Sequence, residues 1–199
     1  SSAASDVYKR QTGYIYDKDG ICTREKIDFM LEMRASGRDR VEDYSDKFPS
    51  ATFVPGERPW GIEDADIIMP CATQNEVCLE DAKKIVKNGV KYYIEVSNMP
   101  TTAEAQEYLI NSPNIIIAPS KAVNAGGVCV SGLEMSQNSQ RLAWSAEEVD
   151  AKLHQGMIDI HKHSVEAAEK YGLGYDLVAG ANIAGFEKVA EAMMAQGIY

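Results

Sequence analysis

Residues 115–144 read "IIIAPSKAVNAGGVCVSGLEMSQNSQRLAW". The stretch changes character twice. An apolar run breaks at Ala118-Pro119, small and amide residues follow around Gly126 and Gly127, and a helix pattern begins near Ser131. A short β-branched run stopped by proline marks a buried strand, since branched side chains suit a pleated sheet and proline cannot donate to its ladder. The segment after it offers hydroxyls and amides but almost no bulk.

The same grammar recurs upstream. "DADIIMP" is an apolar run closed by Pro70, and "VKYYIEVS" is rich in β-branched and aromatic residues, so both read as strands. Between them "LEDAKKIVKNG" predicts a helix ending at Gly89, and "TTAEAQEYLI" predicts another opened by a capping box from Thr101 to Glu104. An earlier helix should start at Thr23 in "TREKIDFMLEMRASG", with Ile27, Met30 and Leu31 on one face and Gly37 beyond its end. Strands alternating with helices imply βαβ units and a parallel sheet, giving an α/β fold.

After Val130 the strand patterns stop. Helices are expected near 131–143, 146–171 and 182–196. Ser145 and Glu148 form a capping box for the middle one, whose apolar stripe runs through Val149, Leu153, Met157, Ile160, Ala167 and Tyr171. The last carries Ile183, Phe186, Val189, Ala190, Met193 and Met194 on a broad apolar face, which must either fold back on the sheet or stay exposed.

Composition narrows the function classes. The chain has 199 residues, is 45% hydrophobic and carries a formal charge of -10. A phosphate-binding face needs basic residues, so this balance argues against a general nucleic-acid binder. No apolar run approaches the ~18 residues of a membrane span, and the polar start "SSAASDVYKRQ" has no signal-peptide character. Scattered Cys22, Cys71, Cys78 and Cys129 fit reduced thiols in a cytoplasmic protein. His161 and His163 point in different directions on a helix, without a supporting cluster of ligands, so no metal site is expected.

In an open parallel sheet, ligands bind at the carboxyl ends of the strands. Three such ends lead into "MPCATQNEV", "SNMPTT" and "PSKAVNAGGV", all rich in small, hydroxyl and amide residues. Such residues let a ligand approach the backbone and suit ribose hydroxyls, a carboxamide or a pyrophosphate better than a metal. Each residue also has a plainer reading. Thr73, Asn98 and Asn124 are common turn formers, Gly126-Gly127 suits a tight turn, and Lys121, Glu134 and Gln137 suit a solvated surface. Three similar loops on one sheet edge favour a site. The glycine-rich G-x-G-x-x-G phosphate turn is absent from the sequence.

From about Gly13 to Gly197 the sequence resembles the hexameric glutamate dehydrogenases of bacteria, clostridial members especially. The resemblance is carried by "IIMPCATQNEV", "KYYIEVSNMPTT", the stretch quoted first, "KLHQGMIDIH" and "YDLVAGANIAGFEKVAEAMMAQGI". It implies an incomplete Rossmann-like parallel sheet with flanking helices, followed by C-terminal helices. Residues 12–130 would be part of a dinucleotide-binding domain and 131–199 a helical segment bridging to a substrate domain, with 1–11 a non-native leader. The family deaminates L-glutamate oxidatively to 2-oxoglutarate and ammonia, reversibly, with NAD or NADP, as homohexamers. By position, Ala72, Thr73 and Gln74 would follow the adenosine and pyrophosphate side, Asn98 the nicotinamide ribose, and Asn124 the carboxamide. Val128 and Ser131 would shape the substrate pocket, the Ser131 hydroxyl reaching the glutamate side-chain carboxylate. The family's catalytic lysines and proton-transferring aspartate have no counterpart in these 199 residues, so the chain reads as a fragment, inactive alone. The alternative is a stand-alone dinucleotide- or metabolite-binding module, weakened by the missing phosphate turn.

Overall fold

A computed structural model describes residues 7–10, 12–37, 40–62 and 65–197. The chain divides into two compact units, residues 1–61 and 62–199. The second is the α/β unit that the repeating strand-helix grammar predicts.

The first unit holds an antiparallel sheet of β1 (Val7–Arg10), β2 (Gly13–Asp17) and β3 (Ala51–Pro55), in that order, with helices α1 (Arg24–Ala35) and α2 (Glu42–Lys47). The strand-helix alternation did not foretell this sheet. Thr23 caps α1 as expected, its hydroxyl accepting from the Lys26 amide. Period-two alternation buries Gly13, Ile15 and Asp17 of β2 on one face. Ile15 joins a core with Met33, Val41, Tyr44 and Ala51. That face also buries the Asp17 carboxylate, which is matched at once: Lys26 Nζ lies 2.7 Å away and the Tyr44 hydroxyl donates at 2.8 Å. A buried charge is tolerated when it is paired and hydrogen-bonded in this way.

The second unit is built on a parallel sheet of β4 (Ile67–Ile68), β5 (Tyr92–Ile94) and β6 (Ile116–Ala118), in sequence order. Helices α3 (Leu79–Lys87) and α4 (Ala103–Ile110) make the crossovers. Ile68, Tyr93 and Ile117 stand side by side in register and are buried, with Ile85 and Leu109 from the helices in the same core. The neighbouring row, Ile67, Tyr92 and Ile116, is exposed. The strands are therefore buried on one face, although their apolar runs suggested burial on both.

The C-terminal part is helical: α5 (Ser120–Val123), α6 (Ala125–Gln140), α7 (Ala146–Lys170) and α8 (Leu177–Gln196). The capping box of Ser145 and Glu148 is present at α7, with reciprocal bonds of 3.2 and 2.9 Å. Two boundaries move from the sequence reading. Helix α6 starts at Ala125 rather than near 131, and α8 starts at Leu177, where Asp176 caps the Val178 and Ala179 amides. The proposed capping box at Thr101 is also absent. Thr101 does not cap α4, because it is buried with its hydroxyl joined to Tyr93 OH at 2.7 Å; the cap residue is Thr102, which makes no side-chain cap bond.

Helices α7 and α8 cross closely, since a Cβ on Gly180 would sit 1.9 Å from the Ser164 carbonyl oxygen. Helix α8 presents Phe186, Val189, Met193 and Met194 to solvent, so most of its expected apolar face remains open. Helix α6 buries none of its residues.

Candidate functional site

All three polar segments emerge at the carboxyl ends of β4, β5 and β6, on one edge of the sheet. The first two are stitched together through the backbone. The Val96 and Ser97 amides donate to the Pro70 carbonyl at 3.2 and 3.0 Å, and the Asn75 amide donates to Met99 O at 3.0 Å. Val77 and Thr101 form a parallel bridge, extending the ladder beyond the strands. Asn75 and Met99 have φ of +52° and +47°. Each lies in the left-handed region that non-glycine residues seldom adopt, and the bond between them holds both turns in place.

Beneath these loops lie two carboxylates that the sequence reading did not single out. Glu76 accepts from the Ala72 amide at 3.1 Å. Glu95 accepts from the Ser120 amide at 3.0 Å and from Gln106 Nε2 at 3.4 Å. Their exposures are 4% and 1%, so both are enclosed. A glutamate inside the apolar run "VKYYIEVS" is itself a signal, because a charge is buried only where partners are waiting. Burial pushes the Tyr93 phenol well above its usual range, and the Glu95, Glu76 and Asp81 carboxylates add to this against the Thr101 hydrogen bond. Tyr93 is therefore a neutral structural member rather than an acid–base group.

The candidate residues fall into two sets. Ala72, Thr73, Gln74, Asn98 and Asn124 are exposed on the three loops. The side chains of Thr73, Gln74, Asn98 and Asn124 make no hydrogen bond among the described residues. Val128 and Ser131 lie three apart on one face of α6, and Val128 is 77% exposed. The Ser131 hydroxyl donates to the Gly127 carbonyl of its own helix at 3.2 Å. To donate to a ligand carboxylate it must exchange that bond. Ser131 is also the seventh residue of α6, past its first turn, where the Gly127 amide already donates to the Asn124 carbonyl at 3.3 Å.

The glycine pair has a divided role. A Cβ on Gly126 would touch Leu153 and Met157 at 3.5 Å, whereas Gly127 meets nothing within 4 Å. Gly126 faces α7 at a distance where an added Cβ would make ordinary contact, and Gly127 leaves backbone open beside Asn124 and Val128. Gln137 proves structural, its side-chain oxygen accepting from the Trp144 amide at 2.6 Å. Lys121 donates to the Asn182 side chain of α8.

Two other chemistries find little support. Burial of the Cys71 sulfur and the nearby Glu76 carboxylate push its thiol up, away from the reactive thiolate. Among the described residues no three histidine, cysteine or acidic side chains converge as a metal site. A concavity of about 450 Å³ lies between α7 and α8, lined by Lys121, His163, Lys170, Glu187, Lys188 and Glu191 among others. Its charges are mixed and Lys170 is paired with Glu187 at 2.6 Å. It has the character of a solvated groove between helices, and the loops remain the better candidate site. Among the described residues, no helix is long and apolar enough to cross a membrane.

A parallel sheet flanked by helices, with its strand ends leading into amide- and hydroxyl-rich loops, defines a Rossmann-like α/β architecture. Sequence comparison makes the membership specific. Residues 4–197 match the sequence model of Glutamate/Leucine/Phenylalanine/Valine dehydrogenase, and the chain belongs to that family. The match begins inside the 1–11 stretch that the sequence reading set apart.

The NAD-specific glutamate dehydrogenase of Clostridium symbiosum is 71% identical over 186 residues, covering 94% of this chain and 41% of that protein. The NADP-specific glutamate dehydrogenase of Haemophilus influenzae is 49% identical over 193 residues, with the same coverage of 94% and 41%. A solved glutamate dehydrogenase structure superposes with a TM-score of 0.92 at 68% identity, covering 98% of this chain and 43% of that one. The structure of the Plasmodium falciparum enzyme gives 0.89 at 44% identity, covering 98% and 42%. The chain thus spans about two fifths of the length of the relatives it matches.

Proposed function

We propose that the chain forms the dinucleotide-side wall of a cytoplasmic glutamate dehydrogenase, which converts L-glutamate to 2-oxoglutarate and ammonia reversibly with NAD or NADP. The observation that carries this reading is the convergence of three loops at one sheet edge, where the Thr73, Gln74, Asn98 and Asn124 side chains are exposed and make no hydrogen bond among the described residues. Such groups fit a dinucleotide, whose ribose hydroxyls and carboxamide need neutral donors and acceptors close to backbone. Ala72, Thr73 and Gln74 take the adenosine and pyrophosphate side, Asn98 the nicotinamide ribose, and Asn124 the carboxamide. When bound, the nicotinamide supplies the acceptor for the substrate's α-hydrogen.

The chain's own contribution is to bind and orient. Val128 forms an apolar wall, and Ser131 offers a hydroxyl to the substrate's side-chain carboxylate after leaving Gly127. Proton transfer from the amine needs a base near operating pH. The one cation on these loops, Lys121, is bonded to Asn182, so that step belongs to residues outside this chain. The intact enzyme is a homohexamer in this reading, and the 199 residues alone are inactive.

Titration of the chain with NADH and with NADPH, followed by cofactor fluorescence, is the test. Saturable binding that weakens on Asn98→Ala and Asn124→Ala supports the reading. No saturable binding of either cofactor overturns the assignment of these loops.

A further inference from the structure

Glu95 occupies a particular place. It follows β5 directly, and its amide continues the β5–β6 ladder by donating to Ala118 O at 3.0 Å. Its carboxylate then reaches across the end of the sheet to the Ser120 amide, the first residue of α5. Helix α5 has only four residues, and its cap residue is Asn124. Gln106 of α4 supports the same carboxylate oxygen. One buried group therefore joins the second strand, the segment after the third strand and a crossover helix.

We propose that Glu95 is a positioning residue that fixes Ser120 and, through α5, sets where the Asn124 amide stands relative to the Asn98 loop. Its consequence for cofactor binding rests on the dinucleotide reading above. Four-residue helices hold their position poorly by themselves, because few backbone bonds form for each residue fixed. The Ser120 amide is enclosed, so without Glu95 it would be left unsatisfied, and α5 would have to shift to find a partner. Glu76 serves the opposite loop through the Ala72 amide, and this makes the two sides separable by experiment.

Amide hydrogen exchange of the 199-residue chain is compared among wild type, Glu95→Ala, Glu95→Gln and Leu109→Ala, the last a buried position on α4 outside the site. NADH titration accompanies each. In Glu95→Ala, exchange over residues 120–124 should rise about tenfold, the loss expected for a bond to a charged acceptor, while residues 71–75 change little. Glu95→Gln keeps an oxygen for the Ser120 amide and should restore most of the protection. Leu109→Ala should raise exchange across the unit without that pattern. If Glu95→Ala fails to fold, Glu95→Asp replaces it with the same expectations, since the shorter side chain withdraws the carboxylate. NADH affinity should fall in Glu95→Ala and recover in Glu95→Gln. Unchanged exchange at 120–124, an equal rise at 71–75, or no rescue by glutamine overturns the positioning role. A wild type that ignores NADH defeats the proposed function instead, and the exchange data still decide Glu95.

Discussion

Gly180 of α8 lies against Ser164 of α7 so closely that a Cβ would come within 1.9 Å of the serine carbonyl oxygen and 3.2 Å of Ala168 Cβ. The obstacle is backbone, so no rotamer change relieves it. In an open helix interior, glycine to alanine gains about 1 kcal/mol from propensity. Here the clash wins, because it can be relieved only by separating the two helices. Gly180→Ala should destabilise the second unit by at least the ~1–3 kcal/mol typical of overpacking. Gly185, on the same helix, has nothing within 4 Å, so Gly185→Ala should stabilise by up to ~1 kcal/mol. Urea unfolding of both variants checks the opposite signs.

Asp17 gives the first unit a defined pH dependence. Its burial alone would raise the pKa, but bonds from Lys26, Ser50 and Tyr44 outweigh this and hold the carboxyl below its ordinary value of 3.8. With the folded pKa below the unfolded one, the native state binds fewer protons in that interval. The contribution is complete above the unfolded value and disappears as pH falls through the folded one. Asp17→Asn should remove this acid limb and leave the Lys26 charge buried without its partner. Breaking a buried pair from one side costs about 3–5 kcal/mol, and denaturant unfolding between neutral pH and pH 3 measures both effects.

The sequence reveals what local periodicity controls and hides what depends on distance in the chain. The strands at Ile67, Tyr92 and Ile116, the Thr23 cap and the Ser145–Glu148 box were all legible, because each is decided by neighbours within a few residues. The β2–β3 ladder was not. Ala51–Pro55 is a short stretch between Pro49 and Gly56, outside the strand-helix alternation, and its pairing with β2 far upstream makes it a strand. Thr101 looked like a cap, but a tertiary bond to Tyr93 claimed its hydroxyl. The loop residues of the candidate site were legible as exposed polar groups after strands. Glu76 and Glu95 were overlooked because their partners, the Ala72 and Ser120 amides, are identified only by folded geometry.

Ser131 separates substrate binding from stability. Its side chain is exposed and, among the described residues, bonds only the Gly127 carbonyl of its own helix. Ser131→Ala should leave the unfolding midpoint of the chain almost unchanged. In an enzyme of the relatives' full length, losing a hydrogen bond to a charged carboxylate costs roughly 1.5–3 kcal/mol, a tenfold to hundredfold fall in kcat/KM for glutamate. Steady-state kinetics with each substrate varied in turn checks this. A raised cofactor KM with unchanged glutamate kinetics would place Ser131 on the wrong ligand.

The open face of α8 should make the chain associate. Phe186 is 67% and Met194 76% exposed, with Val189 and Met193 beside them. Burying one large apolar side chain is worth about 1.5–3 kcal/mol, so pairing such faces is favourable, and contiguous exposed patches favour contact. The net charge of -10 opposes it. Added salt screens that repulsion, so the sedimentation coefficient should rise with protein concentration and rise further with salt. Deleting the helix from Leu177 onward is the wrong remedy, because Ser164 and Ala168 of α7 are buried and Gly180 packs on them. The cut would uncover a second surface. Phe186→Glu with Met194→Lys leaves that crossing intact and should return the chain to a monomer at every salt concentration. Sedimentation velocity decides it: a wild-type chain that stays monomeric throughout would show that this exposed face drives no association.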